Sequence, residues 1–406
     1  MRTPTLPAWL ARVLAGVVLT QAALYLARPV TSYRALALGA DARAVGLVTA
    51  AFALVPLVVA VPLGRASDRW RPGYLLTGGI ALGAVACVLL GTASGLWGLA
   101  LASAVLGLGH LALTLAGQSL IARQSDDALH DRDFGLYAAA ASLGQLAGPA
   151  IAGFALSSAG RSLEEGTTLG FLVAAGLMAL AVPTSLGTDR LGQAGQPRDR
   201  ATGRRLRAGE LIGTRGVPAG MLASLAILAT VDVLTAYLPV LGVQRGISPA
   251  VVGALLSLRA ATSILSRVLI PWMVGRLGRI RLLAVSAAGS ALLTAALPLS
   301  GSPAVLGILL AAAGFLLGIG QPLTMSMVVH AVPEGTRGTA LAIRLTGNRF
   351  GQVATPAAAG LVAGAAGVSA AFWLLGGLLG LAALAVNRRR LTAAANSASG
   401  PGPGHW

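Results

Sequence analysis

Lysine is absent from the chain: all 30 of its basic side chains other than histidine are arginines. Charge of any kind is scarce. Charged residues make up 11% of the chain, less than half of the about 25% usual in a soluble domain. With 55% hydrophobic residues and a mean hydropathy of +0.78, the chain needs an apolar solvent, which excludes an ordinary water-soluble domain. The single cysteine, Cys87, lies within an apolar run, so an intramolecular disulfide is excluded. Alanine, glycine and leucine crowd these runs, a bias we read as genome composition rather than function.

What is present is a series of long apolar runs. Six lie between Leu10 and Leu186 and six between Val217 and Val386. Most approach the ~20 residues that a helix rising ~1.5 Å per residue needs to cross ~30 Å of hydrocarbon. Twelve membrane-spanning helices are expected, with the first run kept as a span because no small-residue cleavage site follows it. Residues 187–216 are polar and basic and read as a linker between a six-helix bundle at 1–186 and a second at 217–390. The Ala-, Ser-, Gly- and Pro-rich tail at 391–406 reads as disordered.

The net charge of +17 invites a nucleic-acid reading, but the arginines are sorted by loop. Arg2, Arg12, Arg65, Arg69, Arg71, Arg123, Arg132, the linker, Arg276, Arg279, Arg281, Arg337 and Arg388 to Arg390 share one side of the spans. The opposite loops hold few, such as Arg34, Arg43, Arg161 and Arg245. The positive-inside rule then places both termini in the cytoplasm and the chain in the cytoplasmic membrane. Basicity here records topology, and the expected partners are a lipid bilayer and a small molecule, without nucleic acid.

The chain also nearly repeats itself. Gly144-Gln-Leu-Ala-Gly148-Pro149-Ala-Ile-Ala152-Gly153 is matched by Gly351-Gln-Val-Ala-Thr355-Pro356-Ala-Ala-Ala359-Gly360, and the prolines stand 207 residues apart (356 − 149). The same offset carries Arg69 onto Arg276. Duplicated helical halves with glycine-proline helices are a common construction of membrane transporters.

Two motifs make the chain similar to the major facilitator superfamily over nearly its whole length. The loop Gly64-Arg-Ala-Ser-Asp68-Arg69-Trp-Arg71-Pro72-Gly73 resembles that family's signature between its second and third spans, with Arg71 and Pro72 departing from it. The resemblance implies a cytoplasmic latch at Gly64, Asp68 and Arg69. The second copy keeps Arg276 but has Gly275 in the Asp position, so the latch is expected on one side only. Gly135, Gly144, Gly148, Pro149 and Gly153 resemble the signature of the superfamily's drug/proton antiporters, with Ala152 replacing one glycine. Glycines let a neighbouring helix approach, and Pro149 removes a backbone donor and bends its own helix. A third signature expects an arginine four residues before Gly107, where this chain has Ser103. The resemblance implies an all-α fold of two pseudo-symmetric six-helix bundles, acting as a monomer without cofactor and driven by a proton gradient.

Ionisable groups inside spans cost about +2.5 to +3.5 kcal/mol each at a helix centre, so they are functional candidates by default. Asp232 is the one carboxylate placed well inside a span. It is expected to carry the coupling proton, with Arg259 or Arg349 as its alternating partner, because burial disfavours a charged carboxylate and a nearby cation favours it. A static ion pair is the alternative reading. His110 is a second protonation candidate, and Arg28 is expected to snorkel to the interface. Gln21, Gln145, Gln321, Arg344, Asn348 and Gln352 are candidate cavity residues. With more cations than anions, such a cavity suits neutral or anionic amphiphiles.

No metal-ligand cluster, phosphate-binding loop or nucleophile with acid and base partners is present, so an enzyme is not expected. The expectation is a proton-coupled exporter of small organic molecules working by alternating access. Its rivals are an importer of a small organic anion on the same fold and a membrane scaffold without transport.

Overall fold

The computed structural model describes residues 6–126, 129–157, 162–188, 210, 213, 214, 216–333 and 336–398. In a bilayer every backbone N–H and C=O must be satisfied within the protein, and helices do so within one segment. The chain accordingly forms twelve long helices among the described residues: α1 (Ala8–Ala37), α2 (Ala42–Arg69), α3 (Pro72–Thr92), α4 (Leu96–Gln124), α5 (His130–Leu156), α6 (Leu163–Ser185), α7 (Val217–Gln244), α8 (Pro249–Leu277), α9 (Arg279–Ala296), α10 (Pro303–His330), α11 (Arg337–Ala366) and α12 (Val368–Ala398). Eleven are long and apolar enough to span a membrane, which makes this a multi-pass membrane protein. The exception is α11, in which Arg344, Asn348, Arg349 and Gln352 interrupt the apolar residues. Helix α12 runs through Ala398, beyond the point where composition marks a disordered tail, because Leu391 and the alanines that follow it are strong helix formers.

The duplication is visible in the turns. Ala40 N–H donates to the Ala35 carbonyl after α1, and Ile247 N–H donates to the Gly242 carbonyl after α7, each at 2.9 Å. Between them Gly39 and Gly246 take φ of +80° and +64°, a conformation that favours glycine. All three positions of one turn map onto the other at the 207-residue offset of the prolines (246 − 39).

By internal contacts the chain falls into two units. The first comprises residues 1–200, 233–260 and 353–368, and the second 201–232, 261–352 and 369–406. Helices α7, α8 and α11 are therefore each shared between units, and the divisions fall beside Asp232, Arg259 and Gln352. In the first unit α1 packs on α5 and α6, α3 on α4 and α6, and α2 on α4; in the second, α9 packs on α10.

One end of the first unit is tied by a buried arginine. Arg34 donates from Nη2 to the Ala93 carbonyl at 2.9 Å, and its Nη1 lies 3.2 Å from Glu164 Oε1, linking the ends of α1, α3 and α6. Ser162 starts α6 with a capping box: its hydroxyl accepts from Glu165 N–H at 3.2 Å while the Glu165 carboxylate accepts from Ser162 N–H at 3.3 Å. Ser162→Ala is expected to destabilise the protein by about 1 kcal/mol, read as a lower thermal midpoint of the detergent-purified protein, without loss of transport.

Candidate transport site

The glycine-proline helix α5 meets two other helices of the first unit. A Cβ added at Gly144 would lie 2.6 Å from the Val18 carbonyl oxygen, and one at Gly148 would lie 2.6 Å from the Ala22 carbonyl oxygen and 2.8 Å from Leu26 N, so both glycines bring α5 against the α1 backbone. Gly153 faces α8 instead: a Cβ there would lie 2.7 Å from the Pro249 carbonyl oxygen and 3.0 Å from Ala250 Cα. Gly253 of α8 answers it: a Cβ there would collide with the Pro149 carbonyl and lie 3.0 Å from Gly153 Cα. Two hydrogen bonds line this crossing: Ser257 Oγ donates to the Leu146 carbonyl at 2.7 Å, and Ala250 N–H donates to Ser157 Oγ at 3.0 Å. Gly135 has open space where a side chain would stand and takes no part in the contact.

The second copy builds the same crossing from α11 and α2. A Cβ at Gly46 would lie 2.6 Å from Gly360 Cα, from the Pro356 carbonyl oxygen and from the Tyr237 hydroxyl, and one at Gly360 would lie 2.8 Å from the Arg43 carbonyl oxygen. The Tyr237 hydroxyl donates to the Ala42 carbonyl at 2.8 Å. Gly46 and Gly253 are absent from both motifs, yet they are related by the offset that relates Pro149 to Pro356 (253 − 46 = 207). That shared offset was the signal for them in the sequence.

Still in the first unit, Arg28 is half-buried with its guanidinium carbon 5.1 Å from the Phe52 ring centre and 5.9 Å from that of Tyr25, a cation–π arrangement. The Phe52 ring lies 6.1 Å from that of His110. Gln21 is buried with its Oε1 unpartnered, and Gln145 is half-buried. Arg259, 5% exposed, also belongs to this unit. Ser103 is buried, and one turn later Gly107 packs so closely on the Phe52 carbonyl that no side chain fits.

The second unit holds two polar networks. In one, Gln352 Nε2 donates to Asp232 Oδ2 at 2.7 Å while Gln352 Oε1 accepts from Arg349 Nη1 at 3.1 Å. A neutral amide thus bridges a guanidinium and a carboxylate that is 3% exposed. In the other, Arg344 Nη2 donates to Gln321 Oε1 at 2.8 Å, and Gln321 Nε2 donates to the Ser224 carbonyl at 2.9 Å, joining α11, α10 and α7. Among the described residues, Arg344 Nε, Asn348 Oδ1 and Ser224 Oγ are buried without hydrogen-bond partners and Arg344 has no carboxylate partner. A buried cation so placed is costly. Arg344→Met is expected to raise the thermal midpoint of the purified protein while lowering transport of acidic substrates, a pairing that tests whether Arg344 is kept for function.

At the loop motif, Gly64 faces open space, and the side chains of Asp68 and Arg69 lie outside the described residues. Arg276 packs its guanidinium carbon 5.0 Å from the Trp272 ring centre.

Twelve helices, a duplicated glycine-proline crossing and polar networks inside the spans define a membrane transporter of the alternating-repeat kind. The sequence model of the Major Facilitator Superfamily matches residues 13–248 and 219–404, and the chain belongs to that family. Its fold is shared with a mutant of nucleoside transporter NupG (TM-score 0.77, 16% identity, covering 95% of this chain and 100% of that one). A mutant of peptide transporter POT (TM-score 0.76, 15% identity, covering 95% of each chain) and a D-xylose-proton symporter (TM-score 0.72, 17% identity, covering 93% of this chain and 96% of that one) share it too. At these identities the likeness is one of fold alone. No curated protein sequence matches the chain.

Proposed function

We propose that this transporter exports small neutral or anionic organic molecules across the cytoplasmic membrane by proton antiport. The observation that carries the reading is the α5 stretch: three of its glycines lie against the backbone of α1 or α8, on the segment that resembles the antiporter signature. In this reading the halves at 1–186 and 217–390 rock about the α5–α8 and α2–α11 crossings, the linker at 187–216 and both termini are cytoplasmic, and Gly64, Asp68, Arg69 and Arg276 form the latch. Asp232 takes up and releases the proton. Gln352 couples it to Arg349, so that a change of charge on the carboxylate alters how the guanidinium is held. Arg344 and Arg28 attract the anionic end of the substrate, and the monomer is the working unit.

Import of a small organic anion is the second reading. It is favoured by Ser103 standing where the exporters' arginine is expected, and by a proton symporter among the proteins that share the fold. Direction separates the two. Cells expressing the protein are expected to accumulate less of a labelled acidic or neutral amphiphile than cells expressing Asp232→Asn. Higher accumulation in the wild type would establish import and sink the export reading.

A further inference from the structure

We infer that the groove between α9 and α10, at the end bearing Arg276, Arg279 and Arg281, holds one anionic glycerophospholipid. Its phosphate sits against Arg279, which His330 holds in place, and an acyl chain lies in the groove. The cavity measures about 340 Å³ and is lined by Ile280, Leu283, Leu323 and Met327, with Ser326 beside them and Arg279 and His330 at its mouth. Its floor is apolar and buried: Leu283, Leu323 and Met327 are 1%, 5% and 9% exposed. That is the surface an acyl chain fills.

The mouth is built for an anion. His330 Nδ1 lies 2.7 Å from the Ser326 carbonyl, which can only accept, so Nδ1 carries the proton and Nε2 is an acceptor. Arg279 Nη1 donates to that Nε2 at 3.2 Å, which holds the guanidinium at the groove's rim, and no carboxylate among the described residues pairs with it. No acidic residue occurs in the sequence between Asp232 and Glu334, so α8, α9 and α10 supply no carboxylate to neutralise this corner. The depth is right as well. Trp272, 59% exposed and stacked against Arg276 within the last two turns of α8, is the kind of ring that sits at headgroup level. Basic pockets between spans at this level suit anionic headgroups. The site is separate from the transport networks and does not depend on the direction or coupling proposed above.

The test is native mass spectrometry of protein released from bilayers of equal phosphatidylglycerol and phosphatidylcholine. Wild type is expected to retain phosphatidylglycerol in preference to phosphatidylcholine. Arg279→Gln is expected to lower that retention about fivefold, the loss of about 1 kcal/mol for one basic residue at the surface. Arg281→Gln, at the same end but outside the groove, is expected to leave it unchanged, whereas Leu323→Trp, which fills the groove with every charge in place, is expected to reduce it. Equal losses in Arg279→Gln and Arg281→Gln would mean diffuse attraction to the surface and would overturn the site, as would equal retention of the two lipids. Should the tryptophan variant fail to fold, the arginine pair decides alone.

Discussion

Gly253→Ala is expected to yield protein in normal amount that transports poorly or not at all. The added Cβ would collide with the Pro149 carbonyl and stand 3.0 Å from Gly153 Cα, both backbone atoms of a packed helix that no rotamer change can move. Overpacking of this kind costs about 1–3 kcal/mol, falling on the conformation in which α5 and α8 touch. At 1.4 kcal/mol per tenfold, the population of that conformation drops between about fivefold and more than a hundredfold. The same reasoning applies to Gly46→Ala at the α2–α11 crossing, where the obstructing atoms include the Pro356 carbonyl oxygen at 2.6 Å. Gly135→Ala is the control, because nothing stands within 4 Å of the new atom and alanine favours the helix. Transport rate and yield, measured for all three, separate an obstructed crossing from a misfolded protein. Near-normal transport by both Gly253→Ala and Gly46→Ala would remove the crossings from the mechanism.

Asp232→Asn is expected to abolish proton movement while leaving the fold intact. Asparagine has the shape of aspartate, and its Oδ1 can accept the hydrogen bond that Gln352 Nε2 now gives to Asp232 Oδ2 at 2.7 Å. The network therefore keeps its geometry and loses its titratable charge. Exchange of labelled for unlabelled substrate, which needs no net proton flux, is expected to survive in the variant; loss of exchange together with proton movement would make Asp232 a structural or substrate-binding residue instead.

The fold was legible because apolar runs of membrane length have few alternatives, and the repeat was legible because it preserves a proline and its flanking glycines. The partners of those glycines were harder to read. In spans that are apolar all round, the sequence does not mark which face meets which helix, so the α1 contacts of Gly144 and Gly148 needed the structure; Gly46 and Gly253 share the repeat's offset, but only the structure shows what they touch. Charge inside the spans pointed to Asp232 and Arg349 but not to the amide between them, because glutamine is ordinary in such helices and only geometry shows Gln352 bonded to both. The ring beside Arg28 was hidden for a related reason. The arginine's position near the end of the apolar part of α1 favours snorkelling, while the Phe52 ring of α2 offers a cation–π face that sequence spacing does not reveal.

The most direct test of proton-coupled export uses purified protein in liposomes with an imposed pH gradient, following internal pH as acidic, neutral and cationic amphiphiles are added in turn. The account predicts that an acidic or neutral compound collapses the gradient through the wild type and not through Asp232→Asn. Collapse of equal rate in the two proteins would contradict it, as would labelled substrate crossing through the wild type with no change in internal pH.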